Sequence, residues 1–267
     1  MAIYDNQLHY TVTGTGRPLL LIHGWAMHRG VWCHVVRELA DCCTTITVDL
    51  RGHGTARTLP GPYDFQTYAD DITALCRQLR LGNVTALGWS MGGSVLLQLM
   101  QSSPGVISAL VFISSTPCFV KRKDFHAGLP RAVVERLRRR IACAYPGALG
   151  MFHELLLTEK EYACMATTPD YELLVHPRFA PTAAAAGASL SCLADADFRP
   201  LLERINIPTL LIHGSNDRLC LPEAAALMHR CIPDARLVLL PDTGHVPFIT
   251  RCADVVAAIR NFLGCLP

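Results

Sequence analysis

The stretch from residue 84 to 101 constrains this chain more than any other. Val84-Thr85-Ala86-Leu87 is a short apolar run that favours an extended strand, and Gly93-Ser94-Val95-Leu96-Leu97-Gln98-Leu99-Met100 has the make-up of a helix. Only Gly88-Trp89-Ser90-Met91-Gly92 lies between them. A chain that passes from strand to helix in so few residues must turn sharply, and the small glycines give the backbone room to do so. Such a turn lifts the Ser90 hydroxyl above the end of the strand, with the N–H of Met91 beside it. The fold must therefore supply a sheet whose strand ends carry chemistry.

The flanking sequence agrees. Residues 8–13 alternate apolar and polar and end at Gly14-Thr15-Gly16, which reads as a hairpin-like turn. Residues 18–22, 44–48, 84–87 and 109–113 are short apolar or β-branched strands, while 31–39, 65–79 and 90–101 have helical spacing. The pattern resumes with strands at 208–212 and 237–240 and helices at 222–231 and 253–263. Short apolar strands separated by helices predict an α/β fold, a mostly parallel sheet covered on both faces. From 118 to 196 the alternation stops. Residues 130–143 read as a helix with Val133, Val134, Leu137 and Ile141 on one face, and Pro146-Gly147 as its end. Thr158-Glu159-Lys160-Glu161 has the form of a capping box, and 182–193 is an Ala-rich helix. The reading is a core formed by 1–117 and 197–267, with 118–196 inserted as a helical cap or lid.

Composition narrows the class. The chain is 51% hydrophobic and 17% charged, which suits a filled core, and no apolar run approaches the ~20 residues needed to span a bilayer. Met1–Asp5 shows neither the basic nor the apolar part of a signal peptide, so a cytoplasmic protein is expected, and a monomer. The 12 cysteines are scattered through apolar segments without a Cys-x-x-Cys pair, with Cys42 and Cys43 at a helix-to-strand joint. In a reducing compartment they serve as small hydrophobes. Net charge is only +2, but residues 121–140 alone carry +6 and the remainder −4.

A serine hydroxyl attacks at neutral pH only when a base takes its proton, and the usual base is a histidine oriented by a carboxylate. His245, in Asp242-Thr243-Gly244-His245-Val246-Pro247-Phe248, follows the last predicted strand. Asp217, in His213-Gly214-Ser215-Asn216-Asp217, follows the strand before it. A loop histidine and a turn aspartate are the plainer readings of these two. Asp242 lies too near His245 to be preferred, and Asp195 and Asp197 precede the strand. Backbone N–H groups of Met91 and of Trp25, in His23-Gly24-Trp25, are the candidate oxyanion donors. Asp49-Leu50-Arg51-Gly52-His53-Gly54 reads as a turn beside the site. No metal-ligand spacing and no organic cofactor motif appears.

These motifs resemble the α/β-hydrolases. A serine in place of aspartate at the turn excludes the dehalogenase and epoxide hydrolase chemistries of that superfamily. More specifically, His23-Gly24-Trp25 with Val31-Trp32, Gly88-Trp89-Ser90-Met91-Gly92-Gly93, Thr116-Pro117-Cys118-Phe119 and Gly244-His245-Val246-Pro247-Phe248-Ile249 are similar to the pimeloyl-[acyl-carrier protein] methyl ester esterase family of biotin synthesis. The similarity covers both core segments and is weaker in the lid. It implies a serine carboxylesterase with Ser90, Asp217 and His245 as triad, Trp25 and Met91 at the oxyanion, and Phe152 against the acyl chain. It implies acyl carrier protein as the partner. The basic lid fits a small acidic carrier on independent grounds, with Arg131, Arg138 and Arg139 as candidate contacts. The other readings left open are a broad short-chain carboxylesterase, carbon–carbon bond hydrolysis, cofactor-free perhydrolysis, and a non-catalytic ligand-binding receptor on the same fold.

Overall fold

Runs of buried aliphatic residues dictate the centre of the molecule. In the computed structural model, which describes residues 8–266, seven strands form one sheet: β1 (His9–Thr13), β2 (Arg17–Ile22), β3 (Cys43–Asp49), β4 (Val84–Trp89), β5 (Ile107–Ile113), β6 (Thr209–Gly214) and β7 (Ala235–Leu240). Every residue of β4 and β6 is buried, so both sheet faces must be covered. The order is β1-β3-β2-β4-β5-β6-β7, parallel throughout except for the β1–β3 pair. This is the predicted fold class. Met1–Asp5 lies outside the described residues, and no helix among those described is long and apolar enough to cross a membrane.

Helices α1 (Cys33–Leu39), α2 (Phe65–Gln78), α3 (Met91–Ser102), α9 (Pro222–Cys231), α10 (Pro247–Thr250) and α11 (Cys252–Gly264) accompany the sheet. Their starts and faces follow from the sequence. Asp64 caps α2 by accepting from the Thr67 N–H at 2.7 Å, and Phe65, Tyr68, Ala69, Ile72, Leu75 and Cys76 form its buried stripe. Between β5 and β6, past two isolated β-bridges at 120–129, the chain forms the helices α4 (Arg131–Cys143), α5 (Tyr145–His153), α6 (Glu159–Met165), α7 (Pro169–Val175) and α8 (Ala183–Asp195). The Thr158/Glu161 capping box forms as the sequence indicates, and Thr182 caps α8. At the base of this insertion the Phe198 N–H donates to Pro117 O at 2.8 Å. Asp197 and Asp124 share Arg199, and Arg122 reaches the Asp195 carbonyl at 2.7 Å.

Two local expectations are corrected. Gly14-Thr15-Gly16 does not close a hairpin, because β3 lies between β1 and β2. Its positive-φ glycines instead carry the chain past the β3 entrance, where Thr15 N–H donates to Ala40 O. Pro146-Gly147 does not end α4. That helix stops at Cys143, and the proline sits in the first turn of α5, where a missing N–H costs no helical bond.

Candidate active site

Ser90 joins the end of β4 to α3 with φ 54° and ψ −116°. A non-glycine residue held there is strained by about 1–3 kcal/mol and persists only because its surroundings fix it. The Ser90 N–H donates to Ile113 O at 3.0 Å, and the Gly93 N–H returns to Ser90 O at 2.9 Å. Gly92 completes the fit, since a Cβ there would lie 2.3 Å from the Ile22 carbonyl oxygen. The elbow is therefore packed directly against the end of β2, whose next loop carries Trp25.

Asp217 and His245, 28 residues apart, meet where the β6 and β7 loops converge. His245 Nδ1 lies 2.7 Å from Asp217 Oδ2, and both side chains are fully buried. Asp217 Oδ1 accepts from the N–H groups of Leu219 at 2.9 Å and Cys220 at 3.0 Å. Burial pushes this carboxyl upward, but the imidazoles of His245 and His213 outweigh it and hold it well below the usual carboxylate range. The acid is thus ionised and its Nδ1 partner acts as donor. That tautomer turns the lone pair of His245 Nε2 outward. Nε2 is buried and has no hydrogen-bond partner among the described residues. The Ser90–His245 hydrogen bond is therefore not formed in this conformation. Burial raises the thiol of Cys220, whose N–H holds Asp217, well above its ordinary range, so it is neutral.

The tryptophan before the serine positions the histidine. Trp89 Nε1–H donates to His245 O at 2.8 Å, and its ring meets Phe248 at 4.8 Å and Trp32 at 6.4 Å. Residues 32, 89 and 248 thus gather into one aromatic cluster beneath the site. His23 is fixed more locally. Its Nδ1 lies 2.8 Å from Gly24 O and its Nε2 accepts from the Leu50 N–H at 3.0 Å. Burial, helped by neighbouring His53, pushes it down to about 3, so it is a neutral structural brace. Asp49 takes the N–H and guanidinium of Arg29 and the N–H and hydroxyl of Thr55, which makes the 49–54 turn a structural one.

Ser90 opens into a cavity of about 130 Å³ walled by Trp25, Phe119, Val134, Phe152, Leu190 and Leu219. Trp25 and Phe152 meet edge to face at 4.8 Å, and Trp25 Nε1–H donates to Ala186 O of α8 at 3.1 Å. Trp25, Met91 and Phe152 all therefore lie at or beside the serine. Arg131, Arg138 and Arg139, the candidate carrier contacts, are not among the residues lining that cavity. Arg138 is bound to Glu135 at 3.0 Å, Arg131 lies 3.9 Å from Asp195, and Arg138 and Arg139 border a separate groove between α4 and α8. Among the described residues the cation that lines the serine cavity is Arg136, which the sequence marked only as part of the charged run. His213 was also missed as a participant. Its Nε2 lies 2.7 Å from Cys220 O and 3.4 Å from Asp217 Oδ2, and its i, i+4 spacing to Asp217 was the available signal.

Residues 17–251 match the family model described as alpha/beta hydrolase fold. The chain belongs to the α/β-hydrolase family. Among relatives of this hydrolase, the pimeloyl-[acyl-carrier protein] methyl ester esterase of Nitrosomonas europaea is 35% identical over 245 residues, covering 91% of this chain and 94% of that protein. The like-named protein of Nitrosospira multiformis is 32% identical over 258 residues, covering 96% and 97%. Among solved structures, an esterase from Exiguobacterium antarcticum superposes with a TM-score of 0.88 at 26% identity, over 96% of this chain and 95% of that one.

Proposed function

We propose that this hydrolase is a serine carboxylesterase that cleaves the methyl ester of pimeloyl-acyl carrier protein, releasing methanol and the free carboxylate of the carrier-bound chain. The observation that carries this reading is the apolar cavity that opens from the elbow serine beneath the lid, in a chain whose curated relatives named for this reaction align over nearly their whole length. An aliphatic chain with an uncharged ester end suits such walls.

In this mechanism Ser90 Oγ turns towards His245 Nε2, which takes its proton as the oxygen attacks the ester carbonyl. Such a pair commonly closes only in the substrate complex. The N–H groups of Met91 and Trp25 receive the oxyanion, each worth about 2.7–4 kcal/mol in sites of this kind. Protonated His245 then gives its proton to departing methoxide, and Asp217 stabilises the imidazolium. Water activated by the same imidazole splits the acyl-enzyme and regenerates Ser90. Residues 118–196 act as the lid, with Phe152 against the acyl chain.

The carrier is held by charge. Of the basic residues in 121–140, Arg122 and Arg138 are turned to partners within the protein, while Arg136 stands at the cavity and Arg139 at the neighbouring groove. A basic surface of this kind orients a small acidic carrier and raises its encounter rate. The test is turnover of the carrier-bound methyl ester against a free short methyl ester at low and high salt. Carrier-specific turnover that falls with salt supports the proposal. Equal turnover of both, insensitive to salt, replaces it with a broad short-chain esterase.

A further inference from the structure

The lid does more than roof the cavity, because one of its side chains is bonded to the loop that carries His245. Glu161, in the first turn of α6, places Oε2 2.8 Å from the Thr158 N–H and 3.0 Å from the Gly244 N–H, with Oε1 3.2 Å from the latter. One carboxylate thus completes a helix cap and holds the residue before His245. The next N–H, that of His245 itself, donates to Leu156 O at 2.8 Å. On the other side Trp89 holds the His245 carbonyl. The peptide of His245 therefore hangs between one anchor in the core and two in the lid. Arg218, beside Asp217, reaches the carbonyls of Glu154 at 2.7 Å and Leu157 at 2.9 Å. The approach is close enough to require glycine at 244, where a Cβ would lie 2.7 Å from Glu161 Oε2 and 2.9 Å from Leu156 O.

We propose that Glu161 is a positioning residue for the reaction. Its carboxylate fixes Gly244, and through it the imidazole of His245, so that this one side chain of the lid supports the catalytic loop. The proposal rests on the reading of His245 as the base. A backbone hydrogen bond to a carboxylate is among the stronger ones available, and a misplacement of about 1 Å at a reacting group costs about 100-fold in rate. Glutamine has an oxygen that accepts both N–H groups as Oε2 does, so geometry and not charge is at stake.

The experiment compares E161A, E161Q, T158A and S90A on p-nitrophenyl acetate, with thermal melting and the low-field Nδ1 proton resonance of His245 as further readouts. E161A is expected to lose about tenfold or more in kcat with KM within about twofold, and to broaden the Nδ1 signal. E161Q should recover most of both. T158A loses the cap hydroxyl but keeps Glu161 on Gly244, so it should melt earlier with kcat intact. Wild-type kcat in E161A overturns the proposal, as does an equal kcat loss in T158A, which would make the effect a helix-cap effect. If E161A does not fold, E161D keeps the charge but withdraws from Gly244, and wild-type kcat in that variant overturns the proposal equally. Continued turnover by S90A would instead remove the triad reading, whatever Glu161 does.

Discussion

Asp217→Asn isolates the orienting role proposed for the acid, because the two oxygens of Asp217 have different partners. Oδ1 accepts two backbone N–H groups at 2.9 and 3.0 Å, whereas Oδ2 accepts from His245 at 2.7 Å with His213 at 3.4 Å. An asparagine that keeps its oxygen at the Oδ1 position retains both backbone bonds. Flipped, it sets an NH2 group against two N–H donors. Each lost bond is worth about 0.5–1.5 kcal/mol, so the first orientation is favoured by about 1–3 kcal/mol. In that orientation the amide NH2 faces His245 Nδ1, which can then only accept. The imidazole proton moves to Nε2, and the atom that should take the serine proton no longer has a lone pair. The expected loss is about 10⁴-fold in kcat, the size found for carboxylate-to-amide exchange in a serine protease triad, with KM little changed. Steady-state hydrolysis of p-nitrophenyl acetate near neutral pH measures it, with urea unfolding to show that the fold is kept. A folded variant within about tenfold of wild-type kcat would refute the tautomer argument.

Two further outcomes follow from packing and titration. Gly92→Ala places a Cβ 2.3 Å from Ile22 O and 2.9 Å from His23 O, both backbone atoms that cannot move without shifting the end of β2. It should cost about 3 kcal/mol or more, and an alanine variant with the wild-type melting temperature would contradict the elbow packing. His23 and His53 are buried neutral, pushed down to about 3 and about 4 by burial first of all. Unfolded histidine titrates near ~6.5, so between about 6.5 and 4 the unfolded chain binds more protons than the folded one. Stability is therefore full above that window and falls by several kcal/mol as pH drops through it. Urea unfolding at stepped pH checks this, and a flat stability from neutral to mildly acid pH would contradict it.

What could be read from the sequence was what local signals carry. The Val84–Gln101 region announces strand, turn and helix within a few residues, and Asp217 and His245 each follow an apolar strand closely. Strand order is not local, so Gly14-Thr15-Gly16 looked like a hairpin although β3 separates its two strands. Pro146 looked like a stop because a proline after a helix fits both an end and a new first turn. Glu161 was legible as a cap, but its bond to Gly244 spans 83 residues and leaves no trace in either segment. The lid arginines show the same limit. Charge density marked 121–140, whereas that Arg136 lines the serine cavity depends on how α4 is rotated, which composition does not tell.

Mass spectrometry of pimeloyl-acyl carrier protein methyl ester after incubation with the purified enzyme tests the central claim most directly. The account predicts that wild-type protein removes one methylene mass from the carrier-bound chain and that Ser90→Ala leaves the substrate unchanged. An intact methyl ester after exhaustive incubation with folded wild-type enzyme, or equal cleavage by Ser90→Ala, would contradict it.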